Sequence, residues 1–352
     1  MDKLIRNEIN DIKITSIASA VSNKYTTIEE SMNYADIKEI EKFKKMTGIL
    51  GRYDVTEKQT SSDLCFAAAN NICAKGKYVG DDIGVLIYFT QTPDYRTPST
   101  AYALHQRLSL PNDCICFDVN LGCSGFVYGS TLVASLMATS NIQKGLLLIG
   151  DTNAKERLPK NKTNTTNTSM LFGDAGAAVL FEKRNGCQIK SSLRSDGTGF
   201  KALMKPYGAW RHPTGPERVP SDDIAVFNFT INEVPDLIKD FILNEGKTID
   251  DYDQIVLHQA NLYIIKQIAK RLNIPMEKVP TSLDKYGNTS GASIPITLVE
   301  KYGETNETKE LNLLMSGFGV GLSSGVMSAQ INVNDILPLV HTDEYFDDGI
   351  AD

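Results

Sequence analysis

Three residues far apart in this 352-residue chain, Cys123, His258 and Asn288, have side chains that would make one chemistry if brought together. A cysteine can attack a carbonyl carbon and hold the acyl group as a thioester. An imidazole N–H and a carboxamide can donate hydrogen bonds to an oxygen that becomes negative. Each residue stands at the end of an expected element, the kind of position at which active sites are assembled. Cys123 lies in Leu121-Gly122-Cys123-Ser124-Gly125-Phe126 and His258 in Val256-Leu257-His258-Gln259-Ala260-Asn261. Asn288 lies in Tyr286-Gly287-Asn288-Thr289-Ser290-Gly291. Taken singly each has a plainer reading, as a buried structural cysteine, a core histidine and a turn or cap asparagine.

The flanking patterns say what must position them. Residues 114–119 read as a buried strand, and apolar residues recur at helical spacing from Phe126 to Ala138. Cys123 is therefore expected in the first turn of a helix, where unpaired N–H groups and the macrodipole favour thiolate. Such sites can lower a thiol pKa from about 8.5 to roughly 3.5–7.5. His258 follows a short apolar strand at 254–257, with a helix after it, and the Asn288 loop leads into a further helix. Strands are also expected at 14–18, 82–89, 145–150, 177–181, 311–315 and 326–331, with helices at 62–74 and 234–244. Apolar strands alternating with helices predict a parallel-rich sheet covered on both faces. The second half repeats the order of the first: 254–257 parallels 82–89, and 311–315 with 326–331 parallels 145–149 with 177–181. Residues 161–169 and 197–220 read as long loops, the second containing the only tryptophan, Trp210.

These motifs, taken in order, resemble the thiolase superfamily and within it the ketoacyl-ACP synthase III group. Further landmarks are Met46-Thr47-Gly48-Ile49 with Arg52, Thr92-Pro93-Asp94, Pro98-Ser99, Leu171-Phe172-Gly173-Asp174-Ala175-Gly176-Ala177, and Gly317-Phe318-Gly319-Val320-Gly321-Leu322-Ser323. The resemblance spans residues 14–333. It implies a duplicated five-layer α-β-α-β-α fold with one half at 1–185 carrying the cysteine, a second at 186–333 carrying histidine and asparagine, and an acidic extension at 334–352. It implies a homodimer and a decarboxylating Claisen condensation. Cys123 would take an acyl group from a thioester, and malonyl-acyl carrier protein would then lose CO₂ with His258 and Asn288 as hydrogen-bond donors. The backbone N–H groups of Cys123 and Val320 would form the oxyanion hole, although glycine is more usual at Val320. Thr97 and Phe318 would border the acyl pocket, Thr97 from across a dimer interface. Lys270 and Arg271, with Lys266 on the same predicted helix, would dock the acidic carrier protein. Coenzyme A-using relatives carry a Trp and Arg pair where this chain has Lys42 and Met46, and further arginines near Thr166 and at Tyr263. Both acyl substrates are therefore expected on carrier-protein phosphopantetheine rather than on coenzyme A, in a specialised pathway. The same three residues would also serve an acyltransferase or a cyclising enzyme, and a non-catalytic partner subunit is a further alternative. A hydroxymethylglutaryl-CoA synthase would need a catalytic glutamate, for which only Glu156 stands nearby.

Bulk properties bound what remains. The net charge of −7 includes six acidic residues and no Lys or Arg after residue 333, leaving the body at −1. Without a basic surplus, nucleic acid is not expected as a partner. No apolar run approaches the ~18 residues of a membrane span, and the first residues lack a signal-peptide core, so the expected location is the cytoplasm. Six cysteines without Cys-x-x-Cys spacing and four scattered histidines give no expected metal site, and no resident cofactor is expected.

Overall fold

The computed structural model describes residues 5–32, 35–154, 169–215 and 221–350. One nine-stranded sheet is formed by β1 (Asn7–Val21), β4 (Ile83–Phe89), β5 (Ile115–Val119), β6 (Lys144–Asp151), β7 (Ala175–Ser195), β8 (Gln254–Leu257), β9 (Glu310–Gly319), β10 (Ser323–Asn332) and β11 (Val340–His341). A separate pair, β2 (Tyr25–Thr27) and β3 (Gly51–Tyr53), stands apart from it. The helices are α1 (Ile28–Ser31), α2 (Ile37–Thr47), α3 (Ser61–Ala74), α4 (Thr100–Arg107), α5 (Gly125–Ala138), α6 (Asp223–Asn244), α7 (Leu262–Arg271), α8 (Leu283–Tyr286) and α9 (Ser293–Tyr302).

The sheet order is β5-β4-β6-β7-β10-β9-β8, with β1 on β7. In the first half β4 runs parallel to β6, and β6 antiparallel to β7. In the second, β8 runs parallel to β9, and β9 antiparallel to β10. The expected repeat is thus present in strand direction as well as in order. The sheet is mixed rather than parallel-rich, because β1–β7 and β7–β10 are antiparallel too. An apolar run specifies burial but not the direction of its neighbours. Both β1 and β7 pass through the two halves. Residues 12–20 of β1 pair with 176–183 of β7, and residues 7–10 pair with 188–191. Between these stretches Asp11 adopts φ +60 and its carboxylate accepts the Gly186 N–H at 2.8 Å, so the pairing is bulged where the strands cross over. The boundary expected at 185/186 lies inside β7.

Helices fill three levels. α3 packs on β1, β6 and β7 on one outer face, joined by α4 against β4 and β5. α6 packs on β9, β10 and α7 on the other outer face. α5 and α9 lie between the halves, α5 touching β1, β4, β6 and β7 as well as β9 and β10. That position explains the sequence of α5, which is apolar nearly all round, as a helix covered on both sides must be. Three apolar clusters match the three levels.

β5 departs from expectation. It is an edge strand rather than a buried one, with Ile115 45 % exposed and residues 116–119 half-buried. The acidic extension docks on the body. Ile336 and Leu337 are buried, β11 pairs with β1, and Gln59 Nε2 donates to the carbonyls of Thr342 and Glu344. The Phe346 N–H donates to Asp63 at 2.9 Å, and the Arg107 guanidinium lies 4.8 Å from the Phe346 ring while pairing with Asp63. Among the described residues no helix is long and apolar enough to cross a membrane, and no cluster of His, Cys, Asp or Glu is placed to hold a metal ion.

Candidate active site

Cys123 lies two residues before α5, at the carboxyl end of the β5 segment, and is 8 % exposed. The turn after β9 closes over it. A Cβ on Gly319 would sit 2.5 Å from Cys123 Cβ and 3.0 Å from its Sγ, so only glycine lets the β9 backbone approach this closely. The backbone N–H groups of Cys123 and of Val320 both act to lower the pKa of the sulfur. The two donors expected to form an oxyanion hole therefore point to the same place. The hairpin is fixed there because Ser124 Oγ meets Ser323 Oγ at 2.7 Å, while Ser323 Oγ is within 2.6 Å of the Val320 carbonyl.

His258 follows β8 directly and is buried, its N–H donating to the Ser316 carbonyl at 2.8 Å. The helix after it starts only at Leu262, capped by Asn261 Oδ1 on the Ile264 N–H. Ring nitrogen Nδ1 lies 2.7 Å from Ser293 Oγ, at the start of α9. That hydroxyl also accepts the Gln259 N–H at 3.4 Å and can still donate its own proton to Nδ1. With that direction the ring carries its proton on Nε2. Burial pushes the imidazole pKa down to about 3, with the Ser290 backbone opposing the shift, so the ring is a neutral donor at neutral pH. The Phe318 ring meets His258 edge-on, with centroids 5.4 Å apart, and is buried.

Asn288 is held by its main chain. Its N–H donates to the Leu171 carbonyl at 2.8 Å and its carbonyl accepts the Gly173 N–H at 3.0 Å. A Cβ on Gly173 would fall 2.0 Å from the Tyr286 carbonyl oxygen, which is why a glycine backs this loop. The side-chain Oδ1 accepts the Ser290 N–H at 2.9 Å. An N–H can only donate, so Oδ1 faces Ser290 and the NH₂ is turned the other way.

These three side chains converge on Ser290. Its N–H binds Asn288 Oδ1, its hydroxyl lowers the pKa of Cys123 and its backbone raises that of His258. The expected resting state of the sulfur does not hold. Burial, then the nearby Asp151 carboxylate, push the Cys123 thiol up to about 12, against the lowering effect of Ser290 and the two backbone N–H groups. The sulfur sits before the helix rather than within its first turn, and desolvation outweighs what the helix start supplies.

Other expected residues fall at the periphery. Thr97 is on an exposed loop. Lys266 and Lys270 are exposed one turn apart on α7. Arg271 is exposed but tied to α6, through the Ile231 carbonyl and Asn232 Oδ1, each at 2.5 Å. Lys42 and Met46 are exposed on α2, and Tyr263 stacks on Phe227 with centroids 5.9 Å apart. Thr166 and Glu156 lie outside the described residues. In the irregular segment, Trp210 is 85 % exposed, with the Arg96 guanidinium 5.8 Å from its ring. Sequence reasoning assigned no role to Ser290, Ser293 or Asp151. The available signal was the position of Asp151, a carboxylate ending an apolar strand, where open α/β sheets gather ligands and functional groups.

Known proteins resemble this chain in sequence and in fold. The family model described as 3-oxoacyl-[acyl-carrier-protein (ACP)] synthase III matches residues 117–197, and that of its C-terminal part matches residues 243–331. The chain is 36 % identical over 287 residues to a beta-ketoacyl-[acyl-carrier-protein] synthase III of Clostridium perfringens, covering 79 % of this chain and 87 % of the relative. It is likewise 36 % identical over 286 residues to one of Neisseria gonorrhoeae, covering 81 % and 88 %. A solved 3-oxoacyl-(acyl-carrier protein) synthase from Burkholderia xenovorans LB400 superposes with a TM-score of 0.91 at 32 % identity, covering 97 % of this chain and all of that one.

Proposed function

The chain belongs to the 3-oxoacyl-[acyl-carrier-protein] synthase III family of thiolase-fold acyltransferases, and on that premise we propose a reaction in two halves around Cys123. In the first, the sulfur attacks an acyl thioester and the carrier thiol departs, leaving acyl-Cys123. In the second, malonyl-acyl carrier protein loses CO₂. The enolate oxygen that develops is met by His258 Nε2–H and the Asn288 amide, both donors that need no proton transfer. The carbanion adds to the acyl-Cys123 carbonyl, whose oxyanion is held by the N–H groups of Cys123 and Val320. One such donor is typically worth about 10²–10³ in rate. Phe318 closes the wall behind His258.

The observation that carries this reading is the convergence of a thiol, an N–H-donating imidazole and an oriented carboxamide on Ser290, from three separate segments. A neutral His258 supports oxyanion binding rather than base catalysis. Carrier protein is proposed as the bearer of both acyl groups, in the cytoplasm and in a specialised pathway. Supporting this, Lys42, Met46 and Tyr263 supply no guanidinium for coenzyme A phosphates, while Lys266 and Lys270 offer an exposed basic pair. A homodimer is proposed through the uncovered β5 edge, which would bring Thr97 toward the partner's acyl pocket.

Intact-mass measurement after incubation with acyl carrier-protein thioesters tests the first half, with the adduct expected on Cys123 and absent from Cys123→Ala. His258→Ala and Asn288→Ala should slow malonyl decarboxylation far more than self-acylation. Equal loss of both steps contradicts the roles assigned.

A further inference from the structure

Arg52, on β3, is 2 % exposed and is the only buried Lys or Arg among the described residues, yet the reaction above gives it no task. A guanidinium taken out of water is costly unless its N–H groups find acceptors, and this one spreads over three. Nη1 donates to the Met170 carbonyl at 3.3 Å. Nη2 donates to Ser31 Oγ at 3.0 Å, with the Met170 sulfur 3.7 Å away. Nε lies 3.3 Å from Asp54 Oδ1, in an ion pair whose carboxylate is itself nearly covered. Ser31 and Asp54 are near neighbours of β3 in the chain. Met170 is not, so that contact joins Arg52 to a distant segment.

That segment carries Asn288. The Leu171 carbonyl accepts the Asn288 N–H at 2.8 Å and the Gly173 N–H donates to the Asn288 carbonyl at 3.0 Å, a short parallel bridge centred on Phe172. Arg52 backs this bridge as well as gripping the carbonyl just before it. A Cβ on Gly173 would sit 3.1 Å from Arg52 Cβ, and one on Gly287 would sit 3.7 Å from the same atom. The root of the arginine thus lies against both sides of the bridge. The main chain around it ties down the same two segments. The Leu50 N–H donates to the Asp284 carbonyl at 3.2 Å, and the Asp174 N–H to the Tyr53 carbonyl at 3.0 Å. The Tyr53 ring stacks on that of Tyr286, with centroids 5.7 Å apart. The carboxamide itself is bound at Oδ1 by the Ser290 N–H, so the position of its NH₂ follows from where the bridge holds the backbone.

We propose that Arg52 is a positioning residue for Asn288, gripping the Met170 carbonyl so that the bridge at 171–173 presents the carboxamide to the enolate oxygen. The inference deepens the two-half reaction and rests on the role given to Asn288 there. Arginine suits the task because its planar fork reaches separate partners from Nη1, Nη2 and Nε at once. A lysine ammonium is a point charge that cannot span them. Loss of the grip frees the bridge to shift, and a displacement of about 1 Å at a reacting group can cost about 10² in rate. Cys123 and the Val320 N–H stand on other segments to which none of these bonds runs, so the acylation half is spared.

The test uses the full chain as wild type, Arg52→Lys, Asn288→Ala and the double variant. Conversion of malonyl-acyl carrier protein to acetyl-acyl carrier protein reports decarboxylation. Quenched intact mass with short-chain acyl-carrier-protein thioesters reports acylation of Cys123. Arg52→Lys should decarboxylate at least about 10-fold more slowly while acylating within threefold of wild type. A residue that only supports the fold would slow both halves. The double should decarboxylate no more slowly than Asn288→Ala, since Arg52 acts through that side chain. Decarboxylation by folded Arg52→Lys within threefold of wild type, equal slowing of the two halves, or slowings that multiply in the double, overturns the placement. Should Arg52→Lys fail to fold, Ser31→Ala, which withdraws one acceptor from the same guanidinium, decides by the same split. Slower decarboxylation alone supports the placement, and unchanged rates or equal slowing overturn it. Decarboxylation by Asn288→Ala at the wild-type rate overturns the underlying reading instead.

Discussion

Gly319→Ala isolates how closely the β9 turn must approach the nucleophile. The added methyl would lie 2.5 Å from Cys123 Cβ, an atom fixed to the main chain rather than the end of a flexible side chain. Restoring ordinary contact, at 3.4 Å or more, requires a displacement of about 0.9 Å by Cys123, the hairpin or both. Either movement separates the sulfur from the Val320 N–H. A misplacement near 1 Å can cost about 10² in rate, while overpacking a buried site typically costs about 1–3 kcal/mol of stability. The expected variant is therefore folded, melts somewhat earlier, and self-acylates about a hundredfold more slowly. Quenched intact-mass time courses give the acylation rate, and urea unfolding gives the stability loss. A variant that acylates within threefold of wild type would show that the hairpin does not set the position of the sulfur.

Three further outcomes follow from contacts described above. His258 has a pKa of about 3 in the folded chain against an ordinary value near 6.5. The unfolded chain therefore binds the extra proton between those values, so stability falls as pH falls through that window. The slope is about 1.4 kcal/mol per pH unit for this group, and His258→Gln should remove it, as read from urea unfolding at pH 5 and 7. Lys266→Glu with Lys270→Glu should lower kcat/KM for acyl-carrier-protein substrates and reduce its salt dependence, while leaving an acyl-pantetheine substrate unaffected. Equal loss with both substrates would remove α7 from carrier docking. Phe346→Ala should cost about 1–2 kcal/mol by removing the ring that covers Arg107, measured as a lowered urea midpoint. An unchanged midpoint would mean that the docked extension adds no stability.

Sequence reasoning reached some features and not others for identifiable reasons. β8 matched its expected bounds because it is short, with apolar residues 255–257 set between the polar Gln254 and His258. β7 ran on to Ser195, fourteen residues past the expected Phe181, because residues 182–188 are polar and alternate with nothing. Their pairing depends on β1, 170 or so residues earlier. Cys123 and His258 were legible because each follows an apolar run, and Asn288 because it stands in a loop of small polar residues leading into a helix. Ser290 and Ser293 stood in the same quoted motif but are ordinary loop residues by type, and only their φ and hydrogen-bond partners distinguish them. Asp151 was hidden at the end of a strand whose apolar run explained itself without it. The resting thiol escaped for the opposite reason. A local pattern reports the helix start, whereas desolvation of the sulfur comes from the β9 hairpin, two hundred residues away.

β1 and β7 act as continuous beams within the one large sheet, paired with each other on both sides of the bulge, and β7 runs on to β10. Two halves riveted along shared strands have no hinge between them, so clamshell opening is denied to this catalyst, and acyl chains must enter and leave through loops alone. The same joinery makes the chain hard to divide. A cut after residue 185 severs a hydrogen-bonded ladder instead of a tether, and fragments made there would each carry a raw sheet margin seeking the other.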